Sequence, residues 1–268
     1  MAGLRVATVL ACSLLTAQLL TAEPLRLVGD DFCPYNCETS TDNPGYLVEV
    51  LEAIFAAQGI GVTYQLKPWS RAVHMVSKGE AHILLANTYQ SAPDPQLQLV
   101  MGEDSTCFLA RSNFAWQYST HTDLHQQRLG VIQGYHYDSN GPLDQYLNSN
   151  PALVYRAKGE LPLRNLMAML LEERIDLVLD NCNVLKRKVS KLGIAHLTRV
   201  AGVLPGYRAN LHIAFSPADP LAPERLELVR SGLNELRRNG RLAQILQRYA
   251  VDDWQTPTPE SVSTAQTN

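Results

Sequence analysis

The stretch from Asn43 to Asn87 alternates twice between a helical pattern and a short apolar run, and this alternation limits the folds open to the chain. A helical pattern at 70–78 separates an alternating run at 62–66 from a continuous apolar run at 82–86. Helices that alternate with buried apolar strands indicate a parallel α/β sheet. The first helical stripe consists of Leu47, Val50, Leu51, Ile54 and Phe55.

Parallel sheets place ligands in the loops that follow the carboxyl ends of their strands. In this chain those loops are 33–43, 67–71 and 87–90. We therefore expect functional side chains there. The candidates are Tyr35, Trp69, Arg71, Asn87 and Thr88.

A second α/β set begins near Leu129, and the run Ala209–Phe215 then reads as a further strand followed by two helices. Breaks near Ser112 and Gly202 separate the two sets. The pattern predicts two lobes with the chain crossing between them twice. The expected boundaries are a leader at 1–22, a first lobe at 23–111 and 205–250, a second lobe at 112–204, and a disordered tail at 251–268.

Composition excludes some function classes. The chain has 268 residues, is 46% hydrophobic and 18% charged, and has a formal charge of −3. This balance is typical of a globular protein and gives no basic footprint for nucleic acid. No catalytic motif is present, no cofactor is indicated, and a His121/His125 pair without a third ligand favours a surface pair over a metal site.

The N-terminal 22 residues contain one Arg, an apolar run and small residues before Glu23. This pattern predicts a secretory signal peptide cleaved after Ala22. The polar residues within the run argue against a membrane anchor, and the stretch before Cys12 is too short for a lipoprotein signal. Export implies a periplasmic protein.

Export also changes the interpretation of the cysteines, because an oxidising compartment favours disulfides. Cys33 and Cys37 flank a short turn that contains a proline, and we expect them to pair. Cys107 and Cys182 are either buried thiols or a second pair, and sequence alone does not choose between these.

The chain resembles the type 2 periplasmic solute-binding proteins, and within them the amino-acid-binding (family 3) group. The segments that carry the resemblance are DDFCPYNC, GYLVEVLEAIFAAQGIGVTYQLKPWSRA, LGVIQGYHYD, ERIDLVLDN and the closing NLHIAFSPADPLAPERLELVRSGLNELRRNGRLAQILQRY. The resemblance implies an α/β fold of two lobes joined by a two-strand hinge, with a small-molecule solute clamped between them. It also implies a monomer that serves the membrane permease of an ABC transporter.

The resemblance assigns Asp180 to the second-lobe position that holds a ligand amine in this family. The first-lobe Arg that grips the ligand carboxylate is missing, because ANTYQSAPDP contains none. Arg71 is a possible substitute cation or a solvated helix residue. Trp69 and Tyr35 could stack on a ligand or plug the sheet edge. Gly134 and Tyr135 form either an anion-binding loop or a glycine-dependent turn.

The leading hypothesis is a non-catalytic receptor for a small polar solute such as an amino acid or another amine. One alternative is a dehydratase-like enzyme on the same fold, for which Glu103, Asp104 and His136 are the acid and base candidates. The other is a sensory module that reports ligand to a membrane sensor. Fold alone does not separate the three.

Overall fold

A computed structural model describes residues 23–39, 43–88 and 91–255 and shows two α/β lobes. Each lobe is built on a five-stranded mixed sheet, which confirms the predicted fold class. The expected leader at 1–22, Cys12 within it, and the end of the tail at 256–268 lie outside the described residues.

The first lobe has the strand order β2-β1-β3-β10-β4, with β1, β2 and β3 parallel and β10 antiparallel to both of its neighbours. Its strands are β1 (Leu25–Gly29), β2 (Val62–Leu66), β3 (Ile83–Asn87), β4 (Gln98–Asp104) and β10 (Ala209–Phe215). Its helices are α1 (Tyr46–Ala56), α2 (Trp69–Ser77), α6 (Ala222–Arg238) and α7 (Arg241–Tyr249).

The second lobe has the order β7-β6-β8-β5-β9, again with parallel strands on one side and an antiparallel strand, β5, between β8 and β9. Its strands are β5 (Thr106–Arg111), β6 (Leu129–Ile132), β7 (Val154–Ala157), β8 (Leu177–Asn181) and β9 (Thr198–Val203). Its helices are α3 (Pro142–Ser149), α4 (Pro162–Leu171) and α5 (Cys182–Lys191).

The chain crosses between the lobes at Ser105, between β4 and β5, and again between β9 and β10. The two crossings lie side by side, since the Leu204 N–H donates to the Thr106 carbonyl at 2.8 Å. This differs from the expected boundary at residue 111, because β5 pairs only with second-lobe strands. The crossing falls earlier because β4, a strand that the residue pattern did not predict, leads directly into it.

The loop after β1 is pressed against the start of α1. Gly45, the residue before α1, has φ of 104°, and a Cβ there would lie 2.4 Å from the Tyr35 carbonyl oxygen. Only glycine fits so close an approach at a positive φ. The close contact holds the backbone of Tyr35 and Asn36 against the start of α1.

The first residues of the expected tail pack against the first lobe, which corrects the boundary at 251. The Trp254 ring stacks on Tyr46 with centroids 6.1 Å apart, and the Arg237 guanidinium lies 5.0 Å from the Trp254 ring centroid. Arg237 also forms a two-point ion pair with Asp253. Trp254 and Asp253 therefore anchor this segment to the first lobe.

Both cysteine pairs are disulfides. Cys33 pairs with Cys37 as the sequence predicts, and Cys107 pairs with Cys182, the alternative that the sequence left open. Cys107 lies opposite Asp180 in the β5–β8 register, so the second bond ties β5 to the start of α5 beside Asp180.

A buried ion pair joins the lobes. The Lys188 ammonium on α5 donates to the Asp31 carboxylate, which follows β1, and both side chains are almost fully buried. Lys191 pairs with Glu38 at 2.9 Å on the exposed side of the same contact. Together these two pairs form an interlobe clasp, and they show that the lobes are closed on each other in this structure.

Within the part of the chain that the structure describes, no helix is long and apolar enough to cross a membrane.

We expect the second disulfide to stabilise the fold more than the first. Its residues are 75 positions apart in sequence, against 4 for Cys33 and Cys37. Loop-closure entropy then predicts losses of about 4 and about 2 kcal/mol for the two double Cys→Ala variants. Urea denaturation measures both, and an equal loss would contradict the expectation.

We expect Lys188→Met to open the lobes and Lys191→Met to leave them closed. Removing Lys188 leaves the Asp31 carboxylate buried without its partner, at a cost of about 3–5 kcal/mol against the closed form. The Lys191 pair is half-exposed and contributes about 0–1 kcal/mol. Small-angle X-ray scattering should show a larger radius of gyration for Lys188→Met alone. Equal scattering from both variants would contradict a closing role for the buried pair.

Candidate functional site

The facing edges of the two sheets enclose a pocket of about 420 Å³, counted to the atom surfaces and including space open to solvent. Its walls come from both lobes, as expected where the carboxyl ends of strands meet. From the first lobe it is lined by Phe32, Trp69, Ala86, Thr88, Ser91, Asp104 and Leu211. From the second lobe it is lined by Thr106, Tyr135, His136, Tyr137, Asp180 and Asn181.

Asp180 is the buried acid of this pocket. It lies near the end of β8 and is 1% exposed. Its Oδ1 accepts the Asn181 N–H at 2.7 Å, whereas its buried Oδ2 has no hydrogen-bond partner. Burial raises the pKa of the carboxyl well above its ordinary range, and the nearby carboxylates of Asp104 and Asp30 raise it further. A buried acceptor without a donor is costly, so Asp180 is suited to receive a donor from a ligand.

Two further buried carboxyls lie close to Asp180. Asp104 ends β4 and lines the pocket, and burial raises its pKa to about 6. Asp30 follows β1, and burial raises its pKa to about 7. Each is held by one second-lobe donor, since Asn181 Nδ2 donates to Asp104 at 2.8 Å and the Tyr135 hydroxyl donates to Asp30. The three carboxyl groups lie at one side of the cleft, where a bound cation would favour their ionised forms.

Aromatic rings form another wall. Trp69 begins α2, and Tyr135 lies in the loop after β6. The two rings meet edge to face across the lobes, with centroids 5.7 Å apart. Phe32 meets Tyr135 in a similar way at 6.1 Å. Gly134 has φ of 85°, and a Cβ there would lie 3.4 Å from Trp69 Cδ1. The positive φ favours glycine at this position, whereas a Cβ at that distance would make an ordinary contact with the tryptophan.

The structure brings four of the sequence candidates to the pocket. Trp69, Thr88, Tyr135 and Asp180 line it, and Gly134 lies against Trp69 at its edge. Asp180 and Trp69 thus belong to opposite walls of one cleft. Their role in binding remains a prediction.

Three other candidates lie elsewhere. Arg71 points away into solvent on α2, where its Nη2 donates to Glu80 at 2.7 Å. Tyr35 is buried behind the pocket, and its hydroxyl donates to the Glu103 carbonyl at 2.9 Å. The buried Asn87 amide donates to the backbone carbonyl of His212 at 3.0 Å. Arg71 is thus solvated, the second of its two interpretations. Tyr35 and Asn87 are buried outside the pocket lining, and Asn87 Oδ1 has no hydrogen-bond partner among the described residues.

Residue patterns indicate neither Asn181 nor Phe32 as a site residue, and they indicate Asp104 only as a candidate catalytic acid or base. Asn181 directly follows Asp180, and its side chain both caps α5 and holds Asp104. Asp104 ends a strand that the residue pattern did not show. Recognition of β4 from the sequence would have placed Asp104 at the end of a strand, next to the hinge.

No protein-family model matches the chain, and no curated protein matches its sequence. Solved structures do match its fold. A mutant of ArgBP from T. maritima is 15% identical with a TM-score of 0.67, covering 84% of this chain and 94% of that one. A structure from work on glutathione import via GshT in Streptococcus mutans is 15% identical with a TM-score of 0.69, covering 89% and 98%.

A third match is a histidine kinase sensor domain with similarity to periplasmic binding proteins. It is 16% identical with a TM-score of 0.69, and the alignment covers 85% of this chain and 96% of that one. At these identities the likeness establishes the architecture. The chain has the two-lobe fold of the type 2 periplasmic binding proteins.

Proposed function

We propose that this protein is an extracytoplasmic receptor that closes two lobes around a small solute carrying an amine and delivers it to an ABC importer. The observation that carries the proposal is the buried, unpartnered Oδ2 of Asp180 in the interlobe pocket. An amine would supply the missing hydrogen bond and the opposite charge together. Trp69, Tyr135 and Thr88 would complete the contact.

The fold supports binding by lobe closure. The pocket is divided between two lobes joined by two adjacent crossings, and a hinge of this kind absorbs a closing motion. Matching structures are described as arginine-bound ArgBP and as part of a glutathione import system. The N-terminal 22 residues, with the pattern of a cleaved signal peptide, support a periplasmic location.

A single chain supplies every wall of the pocket, which supports action as a monomer. Closure would give a permease a surface that differs between the empty and the loaded protein.

A sensory role is the second candidate, because the same fold occurs in a histidine kinase sensor domain. Loss of the gene would then abolish a transcriptional response to the solute while leaving its uptake intact. The enzyme alternative has less support. Glu103 is half-exposed beside Arg208, and the acid candidate Asp104 and the base candidate His136 each face another partner, Asn181 and Asp144.

The proposal predicts that Asp180→Asn weakens solute binding by about 2–5 kcal/mol, the usual cost of removing one charge from a buried hydrogen-bonded pair. A thermal-shift screen of the exported chain against amines, amino acids, organic acids and sugars finds the solute first. A solute at 100 times its dissociation constant stabilises by about 2.7 kcal/mol. Calorimetry then compares the variant with the parent.

Arg71→Ala is the control, since Arg71 was the sequence candidate for gripping the ligand and its side chain points into solvent. It should bind like the parent. Loss of affinity in Arg71→Ala together with parental affinity in Asp180→Asn would move the site out of the pocket and defeat the proposal.

A further inference from the structure

The charge and the walls of the pocket narrow the solute further. We propose that the solute is an organic cation without a carboxylate group, an amine or guanidinium compound held between the Asp180 carboxylate and the rings of Trp69 and Tyr135. This inference rests on the function proposed above and names the chemical class of its solute.

The first argument is the charge of the residues that line the pocket. Asp180 and Asp104 line it and Asp30 stands behind Tyr135, whereas no Lys or Arg is among the described lining residues. The one ionisable base there is His136, whose Nδ1 lies 3.7 Å from Asp144 Oδ2. A ligand carboxylate would enter a site that already holds several acids, and like charges at close range in a buried site repel strongly.

The second argument is that two long stretches of the sequence near the pocket contain no Lys or Arg. No Lys or Arg occurs between Lys78 and Arg111, which covers β3, the whole loop to β4, and the first crossing. None occurs between Arg128 and Arg156, which covers the loop that carries Tyr135. These two of the loops that border the pocket therefore lack a Lys or Arg that could bind a carboxylate, whereas the loop that carries Trp69 holds Lys67 and Arg71.

The third argument is that three of the cations on flanking elements already have acidic partners; Lys67, partly exposed two residues before Trp69, is the one beside the pocket that forms no ion pair among the described residues. These partners would have to be displaced before such a cation could reach a ligand carboxylate, and the Lys188 pair is buried. The pairs are Arg71 with Glu80, Arg208 with Glu103, and Lys188 with Asp31.

The fourth argument is the aromatic wall. Aromatic faces attract organic cations, and Trp attracts them most. The Tyr135 ring is fixed from both ends, since its hydroxyl donates to Asp30 and its ring meets Trp69 and Phe32 edge to face. Acid and rings thus form a pre-organised site for a positive charge, and the described lining residues include no Lys or Arg for a negative one.

Matched pairs of compounds that differ by a carboxylate test the inference. Isothermal titration calorimetry of the exported chain at pH 7.5 compares agmatine with arginine, cadaverine with lysine, putrescine with ornithine, and choline with glycine betaine. We expect at least one carboxylate-free member to bind 10-fold or more tightly than its partner. Trp69→Ala and Asp180→Asn should each weaken that member at least 10-fold.

Equal or tighter binding of the carboxylate-bearing member in every pair that binds would overturn the inference. So would the absence of binding by all the cations at 1 mM. If a sugar, organic acid or amino acid binds instead, with affinity lost in Asp180→Asn, the receptor function survives and only the solute class is wrong. If no compound of any class binds, both proposals fall.

Discussion

The arrangement of this protein depends on an unpaired carboxylate that the fold buries. Asp180 lies at the end of a strand of the second lobe with one oxygen satisfied by the backbone and the other without a donor. Asp104 and Asp30 stand close enough to raise its pKa further. Closing the lobes without a ligand buries these carboxyls, so they must either take up protons or face one another as like charges, and both costs oppose closure. A cation in the pocket would remove that opposition.

The interlobe clasp favours closure of the lobes. The buried Lys188–Asp31 pair and the exposed Lys191–Glu38 pair join the same two lobes outside the pocket. Closure is then a balance between attraction at the clasp and repulsion at the pocket, and a ligand shifts that balance by its differential affinity for the closed form. The Cys33–Cys37 disulfide lies in the loop that carries Asp31 and Glu38, so it stiffens the first-lobe half of the clasp.

Periodicity was sufficient to predict most elements of both sheets, because α1, α4 and α6 have strong apolar stripes and β1, β3 and β6 are buried runs. It failed at the strands beside the hinge. β4 follows two prolines and buries only part of its length, and β9 is an edge strand with Val200 and Val203 half-exposed. Neither strand shows an alternation of apolar and polar residues. Because β4 was not recognised, the first crossing was placed six residues too late, at 111 rather than 105.

Site residues could be predicted from the sequence when their position at the end of a strand places them in the pocket. They could not be predicted when their placement depends on the rotation of a helix or on which strands pair. Trp69 follows from the end of a strand, and Asp180 follows from the family resemblance, which its place near the end of β8 fits. Arg71 lies only two residues after Trp69, yet that rotation on α2 turns it to solvent and to Glu80. Likewise, the Cys107–Cys182 pair depends on β5 lying beside β8, which residue spacing does not reveal.

Proton release on ligand binding tests the central claim most directly. Burial holds the pKa of Asp104 at about 6 and that of Asp30 at about 7, so in the empty protein near pH 6 these carboxyls are partly protonated. A bound cation favours their ionised forms and expels protons. Calorimetric titration at pH 6 in two buffers of different ionisation enthalpy counts them. The account predicts net proton release that is diminished in Asp104→Asn. Proton uptake, or no exchange, would contradict it.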